Sequence, residues 1–362
     1  CRDVLVLERH PAPGKGSTGR ATGGFRSQFS TEVNVRLSLL AREKLLRFPE
    51  EIGADSGYRP RGYLLLAGDE EQLGALDWLH SFLKGLGVPG VERVGPEDIR
   101  RLNPAVNLEG IPGGTFGSTD GFIRPLSILQ GYTDAAQRLG VKFEHGVEVT
   151  GLAREDDRGD RDDRVTRVET SRGPIAAGFV VNAAGAWANT LGMELPVEPA
   201  RRQVALTHPF PGLPEDMPMT IFLEDGFHLR VRDGRVLLLR SADLPSADPF
   251  DTTFDASWLP GVVERAHYRV PCLRQAEIDL AGSWAGLYEM SPDSHAIVGP
   301  APGLANLFLM NGSSGHGVMH SPALGQIVAE MILDGEARCV DARPLRPSRF
   351  AEGEPNQGLA LI

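Results

Sequence analysis

The stretch that decides the fold is Arg2-Asp-Val-Leu-Val-Leu-Glu-Arg9, followed after a short loop by Gly16-Ser-Thr-Gly-Arg-Ala-Thr-Gly-Gly-Phe-Arg-Ser-Gln-Phe29. Residues 4–7 form a continuous apolar run, which predicts a parallel strand covered on both faces. The strand ends at Glu8. In a dinucleotide-binding unit, the second strand ends in an acid that accepts hydrogen bonds from the adenosine ribose hydroxyls. Glu8 is therefore a candidate ribose-binding residue, with an ordinary strand-end acid as the alternative.

The glycine-rich turn that belongs to such a unit is not found before this strand. A Gly-x-Gly-x-x-Gly turn lies about 20 residues before the acid, whereas seven residues precede Glu8. The sequence begins with Cys1. We therefore expect the first strand, the glycine loop and the first helix of the motif to be missing from this sequence.

The second half of the stretch carries glycines and hydroxyl groups. Four glycines between positions 16 and 24 allow the backbone to approach a flat ligand, and Ser17 and Thr18 supply donors for phosphate or ribitol. This order of residues resembles the cofactor path of the D-amino-acid-oxidase-like FAD-dependent oxidoreductases, which include glycine oxidase, the sarcosine oxidases and dimethylglycine dehydrogenase. The resemblance implies an α/β fold, in which a Rossmann-like FAD-binding domain carries an inserted antiparallel-sheet substrate domain.

Composition narrows the classes of partner. The chain has 362 residues and a net charge of −11, and it has no dense Lys/Arg patch, which argues against nucleic-acid binding. Cys1, Cys272 and Cys339 are widely spaced, so we expect neither a disulfide framework nor a metal site. That usage predicts a cytoplasmic protein. No apolar run approaches about 18 residues, so we expect no membrane span.

Two later segments extend the resemblance. Residues 179–187 read Phe-Val-Val-Asn-Ala-Ala-Gly-Ala-Trp and predict a buried strand that runs into small residues. A predicted strand at 307–310, a glycine loop and a helix at 323–333 make an anion-binding corner, which the resemblance places at the pyrimidine end of the flavin. The cofactor contacts that the resemblance implies are Glu8, Arg9, Ser17, Thr18, Gly24, Val149, Ala184, Gly185, Trp187, Gly312, Ser313, Gly315, His316 and Gly317.

The predicted domains alternate along the chain. Between residues 196 and 282 short Val-, Leu- and Ile-rich runs are separated by turn residues, which predicts an antiparallel sheet with strands that include 202–207 and 277–281. The predicted FAD-binding domain comprises residues 1–55, 121–192 and 283–362. The predicted substrate domain comprises residues 56–120 and 193–282.

Four residues are candidates for contact with a substrate. Arg26 follows two glycines, where the resemblance implies an arginine that binds the substrate carboxylate, and a guanidinium suits a carboxylate. Tyr288 stands where glycine oxidase has an arginine, and Met319 stands where sarcosine oxidase has a lysine. His316 could contact the flavin or the substrate. The alternatives are a surface arginine, a packing tyrosine and a histidine that holds its loop.

Departures from the family pattern bear on the flavin chemistry. The chain has no lysine after Lys142, whereas monomeric sarcosine oxidase uses a lysine to activate oxygen, so a dehydrogenase is slightly favoured over an oxidase. Gly286 replaces a cysteine, and Gly19-Arg20 replaces a histidine, at positions where relatives attach the flavin covalently. We therefore predict non-covalent FAD.

The sequence thus predicts oxidation of a small secondary or N-methylated amino acid, such as sarcosine, dimethylglycine or proline, by hydride transfer to flavin N5. One alternative is a β-like subunit of a hetero-oligomeric dehydrogenase that passes electrons to a partner. The other is a non-catalytic assembly or scaffold protein.

Overall fold

The computed structural model describes residues 3–155, 163–241 and 247–359. Within these ranges the chain has a mixed α/β fold, as predicted. The strands are β1 (Leu5–Glu8), β2 (Gly24–Phe25), β3 (Tyr63–Ala67), β4 (Val91–Val94), β5 (Gly113–Gly117), β6 (Gly121–Phe122), β7 (Lys142–His145), β8 (Val149–Glu155), β9 (Arg164–Thr170), β10 (Ile175–Ala176), β11 (Val180–Asn182), β12 (Glu198–Leu206), β13 (Met219–Phe222), β14 (His228–Arg232), β15 (Arg235–Leu239), β16 (Trp284–Met290), β17 (Ile297–Pro300) and β18 (Leu307–Asn311). The α-helices are α1 (Ser17–Arg20), α2 (Glu32–Leu46), α3 (Phe48–Glu51), α4 (Glu70–Gly85), α5 (Pro96–Leu102), α6 (Pro125–Arg138), α7 (Leu259–Arg269) and α8 (Gly317–Asp334). Short 3-10 helices span Gly185–Leu191, Ala256–Trp258, Pro271–Gln275, Arg343–Leu345 and Pro347–Phe350.

The largest sheet has eight strands in the order β16-β12-β15-β14-β13-β3-β5-β4. Its neighbouring strands are antiparallel except β13 and β3, which run parallel. Side chains alternate between the two faces of a strand. On one face Leu229, Val231 and Leu238 share a buried core with Val262 of α7. This packing leaves the other face of the sheet for the polar side chains of the same strands.

That second face carries charged and aromatic residues. The alternation in β14 places His228, Arg230 and Arg232 on it, opposite the core that contains α7. Tyr63 of β3 lies on the same face, because its neighbours along the strand pack into the α7 core. The sheet therefore presents cations and aromatic rings toward the N-terminal segment that carries Arg26.

Two smaller sheets have open edges, which corrects a prediction. β1 pairs in parallel with β7, and β11 pairs in parallel with β18. Within the described residues these are the only partners of β1 and β11. Leu5 and Val6 are 36% and 39% exposed, and Phe179 and Val181 are 53% and 41% exposed. The prediction that both strands are fully buried was wrong, since each has a neighbour on one side alone.

Helices α2 and α8 form the core beside these sheets. Leu37 and Ala41 of α2 and Leu324 and Ile327 of α8 belong to one buried cluster. Their spacing of three or four residues places them on one face of each helix. The α8 helix ends at Gly335, whose φ of 87° is the left-handed conformation that closes many helices. This packing fixes the start of α8, where the predicted cofactor loop lies.

Other predicted boundaries differ from the structure. The strand predicted at residues 277–281 was wrong, since Ile278 makes one isolated bridge with Thr207 and a turn follows it. The apolar spacing of residues 32–48 predicts one amphipathic helix that Pro49 stops. Instead α2 ends at Leu46, and Pro49 lies in the first turn of α3, where its missing N–H costs nothing. In the described ranges no helix has the length and apolarity that a bilayer crossing requires. The domain boundaries stay a prediction.

Candidate active site

Arg26 follows a short strand that a buried acid holds in place. β2 pairs with β6, and Asp120, just before β6, is 1% exposed. Asp120 Oδ1 accepts a hydrogen bond from the Ser27 backbone N–H at 2.7 Å, and Oδ2 accepts one from Gln28 Nε2 at 3.1 Å. These contacts hold the segment directly after β2, and thus the position from which the Arg26 side chain extends.

The direct contacts of the Arg26 guanidinium are neutral groups. Its Nη2 is 3.2 Å from His316 Nε2, and its carbon lies 4.4 Å from the centroid of the Phe29 ring. None of the salt bridges in the described part of the chain includes Arg26. Burial lowers the pKa of Arg26, while Tyr63 and Asp120 oppose that effect. A guanidinium without a carboxylate partner is suited to bind the carboxylate of a ligand.

His316 is neutral in this environment. Burial lowers its pKa well below the usual value, and the positive charge of Arg26 lowers it further. A guanidinium has only donors, so His316 Nε2 accepts the hydrogen bond and the proton lies on Nδ1. The imidazole also packs edge-on against Phe29, with 4.8 Å between ring centroids. Arg26 therefore supplies the fixed positive charge of this pair.

Tyr288 covers the glycine loop from the sheet. A Cβ atom at Gly315 would lie 2.4 Å from Tyr288 Cε2, and Gly315 has a φ of +90°, so both the space and the backbone conformation require glycine there. The Arg202 guanidinium lies 5.7 Å from the centroid of the Tyr288 ring. Tyr288 is 38% exposed. The structure thus brings together three of the four predicted substrate residues, Arg26, Tyr288 and His316.

The fourth predicted residue, Met319, is placed differently. It is 5% exposed and belongs to the buried cluster that includes Phe29 and Leu324. It therefore lies in the core behind the Arg26 and His316 pair. A role for Met319 in shaping the pocket stays a prediction.

Arg230 joins the sheet to the segment before Arg26, and the sequence interpretation missed it. It is 4% exposed, and its Nη1 donates to the backbone carbonyls of Thr22 at 2.8 Å and Gly23 at 3.1 Å. Its guanidinium stacks 3.6 Å from the centroid of the Phe122 ring. Burial lowers the pKa of Arg230 to about 10. The alternating sequence His-Leu-Arg-Val-Arg of β14 would have indicated that Arg230 lies on the polar face of the sheet.

Tyr63 and His228 complete the face toward Arg26, and they too were missed. Burial raises the pKa of the Tyr63 phenol well above its usual value, while the charges of Arg26 and Arg230 act against that effect. Burial lowers the pKa of His228, and the charge of Arg26 lowers it further. Both side chains are therefore neutral near pH 7, so these two residues offer hydrogen-bonding groups without adding charge to the face.

β16 contacts all three segments that carry the predicted cofactor motifs. These segments are residues 16–29, residues 179–187 and the glycine loop at residues 312–317. Ser17 Oγ donates to the Leu287 carbonyl at 2.8 Å. Met290 forms an isolated antiparallel β-bridge with Ser313, and the Ser314 N–H donates to the Glu289 carbonyl at 3.0 Å. Glu289 Oε2 lies 3.8 Å from where a Cβ atom would stand at Gly185. The three segments therefore border one crevice.

The adenosine end of the predicted cofactor path lies at a second part of this crevice. The Glu8 carboxylate accepts from the His10 N–H at 2.8 Å, and the Glu8 carbonyl accepts from the Val147 N–H at 3.0 Å. Val149, at the start of β8, comes two residues after Val147 in the chain. It therefore lies close to the end of β1. Ala184 immediately precedes the 3-10 helix at Gly185. Contacts of these residues with the cofactor stay a prediction.

A cation-rich cavity of about 280 Å³ lies beside this end. The Arg9 guanidinium is 4.9 Å from the Trp187 ring centroid, and the Trp187 ring stacks on Phe250. Thr18 lies in α1 next to Ser17 of the cavity wall. The lining residues with ionisable or hydroxyl groups are Arg9, His10, Lys15, Ser17, Arg20, Asp248 and Thr252. The cavity holds four basic side chains and one acid, a balance that suits phosphate groups.

The residues present fit a flavin dinucleotide. Gly23, Gly185 and Gly312 have φ values of 78°, 58° and 67°, so small residues turn the backbone where the motif segments meet. Gly24 has room for no side chain, since its Cβ atom would lie 1.9 Å from the Tyr63 hydroxyl. The start of α8 at Gly317 directs its positive end into the same region. Backbone amides, a helix terminus and a cation-rich cavity are the groups that such a cofactor requires.

The fold and the site together define a flavoprotein oxidoreductase. Residues 2–331 match the family described as DAO, FAD dependent oxidoreductase, and the chain belongs to this family. The predicted family and its FAD cofactor are thereby confirmed.

Relatives cover nearly the whole chain. FAD-dependent oxidoreductase domain-containing protein 1 of Bos taurus is 30% identical, over 99% of this chain and 81% of that protein. Mitochondrial dimethylglycine dehydrogenase of Rattus norvegicus is 29% identical, over 98% of this chain and 43% of that protein.

Solved structures share the fold. L-proline dehydrogenase from P. horikoshii superposes with a TM-score of 0.88 at 28% identity, covering 98% of this chain and 92% of that one. Glycine oxidase from Geobacillus kaustophilus gives a TM-score of 0.81 at 25% identity, covering 96% of this chain and 92% of that one.

Proposed function

We propose that this flavoprotein oxidises a small secondary or N-methylated amino acid, such as proline, sarcosine or dimethylglycine. FAD supplies the hydride acceptor, at N5 of the ring. The observation that carries the proposal is the Arg26 guanidinium, which is half-buried, faces a neutral histidine and has no salt bridge in the described chain. Such a group is suited to hold a substrate carboxylate and so to orient the amine.

The neutral groups around Arg26 support a substrate with a single negative charge. Tyr63 and His228 are held neutral by burial, and His316 accepts a hydrogen bond from Arg26. Arg230 is already satisfied by two backbone carbonyls. A substrate carboxylate would then pair directly with Arg26, and the Tyr288 hydroxyl is available for a further hydrogen bond.

The names of two relatives favour N-substituted amines. Proline is a secondary amine, and dimethylglycine is a tertiary one; these are the compounds named in the solved L-proline dehydrogenase and in the dimethylglycine dehydrogenase relative. Tyr288 stands in place of an arginine that glycine oxidase has, so glycine itself fits the pocket less well. We therefore rank proline, sarcosine and dimethylglycine ahead of glycine.

We favour a dehydrogenase over an oxidase. The sequence has no lysine after Lys142, and the solved relative with the TM-score of 0.88 is named a dehydrogenase. A dehydrogenase passes its electrons to an acceptor other than oxygen, and a partner subunit could serve as that acceptor. Purification of the protein from its own host, together with any bound polypeptide, tests this point. A cytoplasmic location stays a prediction from cysteine usage.

Anaerobic reduction of the bound flavin tests the substrate. We expect proline, sarcosine or dimethylglycine to bleach the flavin absorbance, with glycine and D-alanine slower. In Arg26→Met the concentration for half-maximal bleaching rises about 100-fold, since a buried charge-assisted pair contributes roughly 2–5 kcal/mol. Arg36→Met is the matched control, because Arg36 is an exposed arginine of α2. A flavin that none of these amines bleaches, or equal bleaching by Arg26→Met, would contradict the proposal.

Acid precipitation tests the mode of flavin attachment. Gly286 lies beside the Arg20 side chain, 3.0 Å from where its Cβ atom would be, and it has no nucleophilic atom. We expect the yellow colour to stay in the supernatant after precipitation. Colour retained in a washed pellet would show a covalent bond.

A further inference from the structure

Glu289 is a half-buried acid that the substrate proposal does not use. It lies on β16 next to Tyr288, and adjacent residues of a strand point to opposite faces. Its carboxyl group accepts hydrogen bonds from the backbone N–H groups of Gly312 and Ser313. The other oxygen, Oε2, is buried and has no hydrogen-bond partner in the described part of the chain. A buried polar atom without a partner is rare in folded proteins.

This free oxygen is directed into the cofactor crevice. Oε2 lies 3.8 Å from where a Cβ atom would stand at Gly185, and Oε1 lies 3.9 Å from that position at Gly317. Gly185 begins the 3-10 helix Gly185–Leu191, and Gly317 begins α8. The carboxyl group therefore lies where two glycine segments of the predicted FAD site approach each other.

The surroundings favour the neutral form of this acid. Burial raises the pKa of Glu289, and the N–H groups of Ser313 and Gly312 act against that effect. None of the salt bridges in the described ranges includes Glu289. The charged or titratable side chains on the elements packed against β16 here are Arg20, Glu198, Arg201, Arg202 and His316.

Most of these side chains are engaged elsewhere. Arg20 and Arg202 donate to the backbone carbonyls of Ala285 and Arg201, Arg201 pairs with Asp251, and His316 contacts Arg26. Glu198 is exposed at the start of β12. A carboxyl group without a cation beside it is more stable in its neutral form.

We propose that Glu289 contacts the cofactor, and that its protonated Oε2 donates a hydrogen bond to bound FAD between Gly185 and Gly317. The inference goes beyond the proposed function, because it needs FAD as the cofactor and makes no assumption about the amine. A neutral acid donates a hydrogen bond without placing a negative charge beside the flavin, which becomes more negative on reduction.

Titration of the FAD-free full chain with FAD, followed by quenching of flavin fluorescence between pH 5 and pH 9, tests the proposal. The wild-type affinity weakens as pH rises through the titration of the carboxyl group. Glu289→Gln keeps a donor and an acceptor, so its affinity stays within about threefold of the wild type at low pH and does not change with pH. Glu289→Met loses about tenfold at low pH, as expected for one buried hydrogen bond. Glu198→Gln behaves as the wild type.

Several outcomes would overturn the proposal. These are a wild-type affinity that is flat across the range, a Glu289→Gln variant that keeps the wild-type pH dependence, and a Glu289→Met variant that is folded and binds FAD as the wild type does. If Glu289→Met does not fold, the comparison of the wild type with Glu289→Gln decides alone. A protein that shows the Glu289 pattern but is not bleached by any amine would reject the substrate proposal and keep this one.

Discussion

Two arginines of this protein, the fully buried Arg349 and the half-buried Arg26, have opposite surroundings. Arg349, in the last 3-10 helix, is fully buried and binds Asp293 through two hydrogen bonds, Nε to Oδ2 at 2.8 Å and Nη2 to Oδ1 at 2.9 Å. Asn356 also donates to Asp293, at 3.0 Å. Arg26 has an imidazole, an aromatic ring and no salt bridge in the described chain.

The difference separates a structural charge from a binding charge. Burial raises the pKa of Asp293, but Arg349 and Asn356 lower it more, so that its pKa falls well below the usual value. In that region both charges are satisfied by the chain itself. Arg26 is a half-buried cation without a salt bridge in the described chain. In the proposed function, its carboxylate partner is the substrate.

The largest effect that we expect is on stability at Arg349. Arg349→Met leaves the Asp293 carboxylate buried without its cation, and loss of one partner of a buried pair costs about 3–5 kcal/mol. Chemical denaturation should show this decrease in the free energy of unfolding. A decrease below about 1 kcal/mol would mean that the Arg349 region does not differ from an exposed ion pair, and the contrast with Arg26 would fail.

A smaller effect, with a defined sign, is expected at Asp120. Burial raises the pKa of this carboxyl group to about 6, so its contribution to stability is complete below about pH 4 and is lost as pH rises through 6. Relative to Asp120→Asn, the wild type should lose roughly 3 kcal/mol between pH 4 and pH 8. Denaturation curves at several pH values measure the difference. A gain in stability with rising pH would instead mean that Asp120 is ion-paired with Arg26, as Asp293 is with Arg349.

The smallest stability effect should be at Arg26 itself. Arg26→Met removes a half-buried charge that has no salt bridge in the described chain, so the free energy of unfolding should stay within about 1 kcal/mol of the wild type, or rise. The same denaturation experiment as for Arg349 measures it. A loss of 3 kcal/mol or more would show that Arg26 is a structural arginine and would remove the basis for carboxylate binding.

The sequence predicted the elements that depend on local patterns. The apolar period of α2, the glycine loop before α8 and the strand predicted at residues 202–207 were found within a few residues, since each follows from neighbouring side chains. The same reasoning failed for β1 and β11, whose burial depends on which strands lie beside them. Burial on both faces of a strand cannot be judged from its own residues.

The site was predicted in part for a similar reason. Arg26, Tyr288 and His316 were identified from motifs, and the structure brings them together. Asp120 was not identified, because its contact with Ser27 joins residues 93 positions apart. Glu289 was not identified either, because the free oxygen that distinguishes it is a property of the folded surroundings. Arg230 could have been identified from the alternation in β14.

The position of β16 has a consequence for how this protein tolerates change. Tyr288 and Glu289 are neighbours on one strand, and the first faces the glycine loop at Gly315 while the second faces Gly185. Inserting or deleting a single residue in β16 would exchange these directions. The acid would then face the glycine loop at Gly315, and the phenol would face Gly185. Insertions and deletions in β16 should therefore be tolerated far less among homologous proteins than a substitution of Tyr288 or of Glu289 alone.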